Sequence, residues 1–345
     1  MVTEANTRRK WVRWVVPIVT LVLIAIFARK VDWGRAWEAI VHADPLLLGV
    51  AALANLASLV VKGVRWSLFL NAAGISGVGY AVRATFAGAA LNNVVVANGG
   101  DAARVAAVAR QSGVSSAAVL ATLAVDKLCD LVAYAVLFVA AAFLLPLPPE
   151  LARWRTPGLL VLAGIVVIVA FFVWRTPDPA SSSTRAAHAA EHVTPLQRAR
   201  AYWHRLAATT AHIATVPRLA IAMTLAFVAW AGQWATFHYA AHAASFPTTP
   251  ADSLLALLAV NASFLVRLTP GNVGVFQLLY ALAATSTGLD KNSAVAVAFL
   301  ISIIQYVPIT SIGLLLARSL TGGSRTYIAA ADAPPTADAK RHAAH

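Results

Sequence analysis

The chain holds a single cysteine, Cys129, so no disulfide can close within it and no cysteine-based zinc or iron–sulfur site can form. Cys129 lies in an apolar run, where a thiol reads as a small buried hydrophobe. Charge is scarce as well: Asp, Glu, Lys and Arg make up 12% of 345 residues, against about 25% in an ordinary soluble domain. Acid is the scarcer sign, with 14 Asp+Glu against 27 Lys+Arg and a formal charge of +13. There is no phosphate-binding P-loop, dinucleotide fingerprint or nucleophile–base arrangement, so ATP coupling within the chain is not expected, and neither is a cofactor. His238 and His242 stand four apart, but no glutamate follows His238; the zincin pattern is absent and no metal site is expected. The basic residues are not interleaved with aromatics on a soluble element, which argues against nucleic acid.

What is present is hydrophobic. Apolar residues make up 59% of the chain, mean hydropathy is +0.71, and several runs approach or exceed the roughly 20 residues that cross a bilayer. The expected fold is an all-α polytopic membrane protein. A tail over 1–13 precedes one transmembrane domain over 14–318, and a disordered tail covers 319–345. About six full spans are expected, near 14–28, 46–69, 117–145, 157–174, 217–243 and 292–317. The first resembles a signal peptide, but Arg29-Lys30 follows it rather than a small-residue cleavage site, so it reads as a retained span. Pro146-Leu147-Pro148-Pro149 ends the span that begins near 117. Arginine crowds both tails and the polar 175–216 loop, which carries a surface helix near 195–210; these segments are expected in the cytoplasm.

Two more apolar stretches break at membrane depth. One runs from Tyr80 to Ala97 and ends in Asn98-Gly99-Gly100-Asp101-Ala102-Ala103-Arg104; the other runs from Leu254 to Leu268 and ends in Thr269-Pro270-Gly271-Asn272-Val273-Gly274. Freed backbone groups survive there only where they are buried in protein or line a polar cavity. Each half of the chain thus reads as full span, broken segment, full span, with a weak register between halves. Lys127 falls fourteen residues after Gly113, and Ser302 falls fourteen after Gly288. Asp130 then corresponds to Gln305. One span connects the halves, so the second would enter with opposite topology, an inverted repeat of the kind that builds alternating-access transporters.

Candidate site residues follow from these breaks. Gly99 and Gly100 permit close approach and a turn. The helix after them offers free N–H groups to an anion, with Asp101 as a natural N-cap and Arg104 one turn on. Asn92 and Asn93 add polarity to the preceding run. Asp126, Lys127 and Asp130 sit deep in an apolar span, where ionisable groups face a cavity or pair with one another. They read as a site or as a buried lock to Arg104 or Arg65, and the two are compatible, since a cavity needs its charges held. Lys62 and Arg65, beside Trp66, fit snorkelling to the interface, and Arg65 is also a candidate headgroup contact. In the second half Pro270, Gly271, Gly274 and Gln277 repeat the design with less charge, while Arg267, Gln305 and Tyr306 supply further polar groups.

Taken together, Arg65-Trp66, Asn92 to Arg104, Asp126 to Asp130 and Pro270 to Gln277 resemble the lysylphosphatidylglycerol synthase transmembrane region family, also called flippase-like or UPF0104 proteins. The resemblance covers residues 45–318. Gly100, Asp101 and Arg104 match the family's first break. Asp126-Lys127 and Asp130 match its Glu-Arg and following Asp conservatively. Gln277 stands where the family has an acid, and Ser302 where it has an arginine. The resemblance implies lipid translocation across a bacterial cytoplasmic membrane, without the soluble lysyl-transferring domain of long members. Members are linked to aminoacyl-phospholipids, hopanoids and polyprenyl-linked sugars. The expected function is therefore a non-enzymatic lipid flippase that takes a membrane lipid with an anionic headgroup. Two rivals stay open. One is a membrane glycosyltransferase using a polyprenyl-phosphate sugar, with Asp32, Glu38 and Asp44 as external acids. The other is a scaffold for a lipid-synthesising enzyme partner, recruited through the 175–216 loop.

Overall fold

A computed structural model describes residues 33–94, 99–145, 153, 156–160, 163–164, 213–246, 248–262, 272 and 274–322. The expected spans at 14–28 and most of 157–174, the Pro146–Pro149 turn, the surface helix and the tail from 323 lie outside these residues, as do Asp32, Asn98, Arg267, Pro270 and Gly271. Every element among the described residues is helical: α1 (Trp33–Val41), α2 (Pro45–Ala72), α3 (Val78–Val94), α4 (Gly99–Ser112), α5 (Ser116–Leu144), α6 (Val216–Ala243), α7 (Pro250–Ala262), α8 (Val275–Ser286) and α9 (Lys291–Gly322).

Four of these, α2, α5, α6 and α9, are long and apolar enough to cross a membrane. Their outward faces carry large exposed hydrophobics such as Leu53, Val136, Phe227 and Leu315, which a lipid solvent accommodates and water does not. The ends follow local chemistry. Asp44 caps α2, its Oδ1 accepting from the N–H of Leu46 at 2.8 Å, and Pro45 takes the first helical position. That use of Asp44 commits one of the three acids a glycosyltransferase reading would need; Glu38 is exposed on α1. Residues 29–44 read as a loop from sequence, so α1 is an addition: nine residues are too few to stand out against neighbouring spans.

Small residues bring the helices together, as expected where lipid provides no hydrophobic drive between them. A Cβ at Gly232 of α6 would lie 3.0 Å from the Ala54 carbonyl of α2, and one at Gly313 of α9 would run into the Phe86 carbonyl of α3. The packing is closed under the exchange of α2, α3, α4, α5 for α6, α7, α8, α9. Within the halves, α2–α3 mirrors α6–α7, α3–α4 mirrors α7–α8, and α4–α5 mirrors α8–α9; between them, α5–α7 mirrors α3–α9. The connection before each final helix repeats as well. Gly113 and Gly288 both hold positive φ, at 70° and 97°, and the next residue but one, Ser115 or Asp290, caps the helix that follows.

Candidate functional site

The first break is closed by side chains. Asn92, in the last turn of α3, turns its Oδ1 to the N–H of Gly100 at 2.8 Å, so a donor freed at the start of α4 is satisfied across the gap. Gly100 packs directly on the Gly88 carbonyl, and a Cβ there would collide with it and come within 2.7 Å of the Asn92 nitrogen. Only glycine fits. Asp101 is not the N-cap expected of it. The helix starts at Gly99, which places Asp101 inside the first turn, where its carboxylate receives the Lys127 ammonium at 3.1 Å and lies 4.0 Å from Arg104 Nη2.

Arg104 is 7% exposed. Its guanidinium carbon sits 4.1 Å above the Trp66 ring, an arrangement in which the ring's negative face attracts the cation. The indole is fixed in turn, donating from Nε1 to Thr122 Oγ1 at 3.0 Å. Arg104 Nη1 donates to Thr85 Oγ1 at 3.2 Å, while Nε and Nη2 carry no hydrogen bond among the described residues.

Arg65 overturns the expectation of snorkelling. It is fully buried and reaches α5 rather than the interface. Nε donates to Asp126 Oδ1 and Nη1 to Asp130 Oδ1, each at 2.7 Å, so one guanidinium spans two carboxylates one turn apart. The α5 acids make the lock, to Arg65, and both also line the cavity. Lys127, 52% exposed, remains accessible.

In the second half, Gln277 Oε1 accepts from the N–H of Gly274 at 2.6 Å and its Nε2 donates to Ser302 Oγ at 3.0 Å. Asn272 is buried, with φ of 57° in the left-handed region that asparagine tolerates. His238 and His242 bond to Ser253 Oγ and the Thr248 carbonyl, at 3.1 and 3.0 Å, and among the described residues no His/Cys/Asp/Glu cluster could hold a metal.

Between the two breaks lies a cavity of about 490 Å3. The first broken pair contributes Asn92, Asn93, Asp101 and Arg104, and the second contributes Asn261 and Phe276. Helix α5 adds Asp126, Lys127, Asp130 and Tyr134; α6 adds Trp230, Gln233 and Phe237. Gly99, Gly100, Arg65, Gly274 and Gln277 are not in its lining. Asp130, Trp230 and Gln305 each stand fourteen residues into their helices, about 21 Å from the end, which puts the cavity near mid-membrane.

Several wall residues do not stand out as site residues from sequence: Lys62, Asn55, Ser58, Tyr134, Trp230 and Gln233. A signal exists for α2, since Asn55, Ser58, Lys62 and Arg65 follow one another at intervals of three, four and three and so form one polar stripe on an apolar helix.

Paired broken helices around a polar, mid-depth cavity define a multi-pass membrane protein whose two halves share one packing plan. Residues 13–313 match the family described as the lysylphosphatidylglycerol synthase TM region, and the chain belongs to that family. It is also similar to the UPF0104 membrane protein PH1989 of Pyrococcus horikoshii, with 24% identity over 328 residues covering 87% of this chain and 95% of the relative.

Proposed function

We propose that this protein moves a lipid with an anionic headgroup between the leaflets of a bacterial cytoplasmic membrane, and that it does so without catalysing a covalent step. The observation that carries the reading is that both helix breaks border one charged cavity at mid-depth. The headgroup phosphate would approach Lys127, whose ammonium exchanges Asp101 for the incoming oxygen, and the Arg104 N–H groups that lack hydrogen bonds. Trp66 holds Arg104 in place for that contact. The lipid tail stays in the bilayer, and the two broken pairs alternate access between leaflets. Arginine-rich tails and the 175–216 loop support cytoplasmic termini; a lipid-synthesising partner on that side would supply the substrate.

The test is headgroup translocation in proteoliposomes, followed by chemical quenching of a fluorescent anionic phospholipid in the outer leaflet. Arg104→Ala is expected to lose translocation while eluting as a folded species. Arg104→Lys, which keeps the charge but not the planar fork, is expected to retain a fraction of the rate. Wild-type rates in a folded Arg104→Ala protein would refute the proposal.

A further inference from the structure

The cavity's charge and its unused hydrogen-bonding groups are segregated, and the segregation bears on which headgroup fits. The charged wall is built from α2, α4 and α5. Its groups and their immediate support comprise four cations, Lys62, Arg65, Arg104 and Lys127, and three carboxylates, Asp101, Asp126 and Asp130, for a formal excess of one positive charge. Each carboxylate is already committed: Asp101 to Lys127, and Asp126 and Asp130 to Arg65. Lys62 has no hydrogen bond or ion pair within 4.0 Å among the described residues, and Asp130, which shares the lining with it, is bridged by Arg65. An incoming ammonium would find three occupied acids and a net positive field. An incoming phosphate would find a Lys62 ammonium with no ion pair within 4.0 Å and Arg104 with spare donors.

The part of the wall from α6, α7 and α9 has no formal charge. Trp230 is 6% exposed, and its indole N–H, which can only donate, has no partner among the described residues. Gln233 and Gln305 line the cavity, and neither side-chain amide makes a hydrogen bond among the described residues. Asn261 donates to the Leu257 carbonyl at 2.8 Å, which leaves its own oxygen to accept. A buried donor without a partner, as at Trp230, is costly, and the half-buried amides, which offer donor and acceptor side by side, suit hydroxyl groups, which are both.

Building on the lipid-translocation reading, we propose that the cavity selects a phosphodiester headgroup with one negative charge and an uncharged polyhydroxyl substituent, such as a glycerol, an inositol or a sugar. The phosphate sits by Lys62, Lys127 and Arg104, and the hydroxyls sit by Trp230, Gln233 and Gln305. Headgroups that carry an amine, aminoacyl-phospholipids included, are disfavoured.

Equilibrium binding to the full-length protein in detergent, using short-chain lipids with identical tails, tests this without requiring transport. Phosphatidylglycerol and phosphatidylinositol are expected to bind at least about tenfold more tightly than phosphatidylmethanol, which has the same charge but no hydroxyls, the worth of one or two hydrogen bonds. They should exceed phosphatidylethanolamine and phosphatidylcholine by a larger margin. Gln305→Leu, or Gln233→Leu should the first fail to fold, is expected to shrink the glycerol-to-methanol ratio toward one. Lys62→Gln is expected to weaken every anionic lipid and narrow the gap to phosphatidylethanolamine. Equal affinity for phosphatidylglycerol and phosphatidylmethanol, or for phosphatidylethanolamine, would overturn the proposal. Polyol-selective binding without translocation would keep it and sink the flippase reading; fast translocation with no headgroup preference would do the reverse.

Discussion

At the first break, Lys127 reaches from α5 to Asp101 of α4 across 3.1 Å; at the second, Ser302 of α9 meets Gln277 of α8 across 3.0 Å. Residues 127 and 302 hold equivalent places, fourteen after Gly113 and Gly288. The same tie, from the first turn of a half-helix to the long helix that follows, is made once with charge and once without. The surroundings differ to match. Lys127 is 52% exposed to the cavity, whereas Gln277 and Ser302 are 2% and 6% exposed. A tie made of charge and bordered by a polar space can be exchanged for a ligand. A tie made of two buried neutral groups, one of which also closes the Gly274 N–H, has no better partner on offer. On the proposed function, the comparison fits phosphate capture at the first break and a fixed frame at the second break.

The sharpest way to test that division is to remove the charge that holds the first half together. Arg65→Leu leaves Asp126 and Asp130 without their partner in the interior. Breaking a buried pair from one side costs about 3–5 kcal/mol, because the remaining charge is uncompensated. Thermal unfolding in detergent should show a greater loss than for any other single substitution around the cavity. Stability near wild type would mean that water reaches these acids and that the lock is not buried.

A smaller effect separates the two ties. Gln277→Leu strands the Gly274 N–H, removes the donor to Ser302 Oγ, whose own hydroxyl still donates to the Ala298 carbonyl, and should cost about 1–3 kcal/mol. The double variant Asp101→Asn with Lys127→Ser replaces the partly exposed ion pair by neutral groups and should cost no more than about 1 kcal/mol. Translocation is expected to fall in the opposite order: abolished in the double variant and largely kept in Gln277→Leu at a temperature where it is folded. If the Gln277 variant transports less than the double variant, the second break takes part in phosphate capture and the division between the two breaks fails.

The four expected spans that fall on described residues are legible in the sequence to within a few residues. Helices α2, α5 and α6 lie where apolar runs end in a cap or a proline, and the described parts of the second broken pair, Pro250–Ala262 and Val275–Ser286, fall on either side of its Pro-Gly run in the sequence. The ionisable residues of α5 stand out because such groups inside an apolar run are expensive. Their partners do not: Arg65 is 61 residues from Asp126, and no local pattern pairs them. Lys62 and Arg65 invite the wrong reading because nearness to a helix end makes snorkelling the economical explanation; their shared stripe with Asn55 and Ser58 is the better guide. The Trp66 plate under Arg104, and Asn92 in the place of an N-cap, depend on a third dimension that spacing does not carry.

The caps before the two final helices invert the comparison and give the smallest effect. Ser115 accepts from the Ala118 N–H at 3.3 Å with a neutral hydroxyl, while Asp290 accepts from the Asn292 and Ser293 N–H groups at 3.0 and 3.2 Å with a carboxylate. Replacing either by alanine should cost about 1 kcal/mol at neutral pH. Only one of the two costs should depend on pH. The hydrogen bond from the Ser293 N–H, foremost, and then the bonds from the Ser293 hydroxyl and the neighbouring amides hold Asp290 below the ordinary aspartate value of 3.8. A depressed carboxylate adds stability that is fully present above its unfolded-state pKa and is lost as pH falls through the folded one. The difference between wild type and Asp290→Ala should therefore shrink below about pH 4, while the difference for Ser115→Ala stays level. Here the second half carries the charge, yet it carries it at an exposed helix end, outside the membrane-spanning part and far in function from the cavity. A level pH response for Asp290→Ala would show that this carboxylate is not ionised at its cap. The halves would then differ in charge only where the cavity demands it.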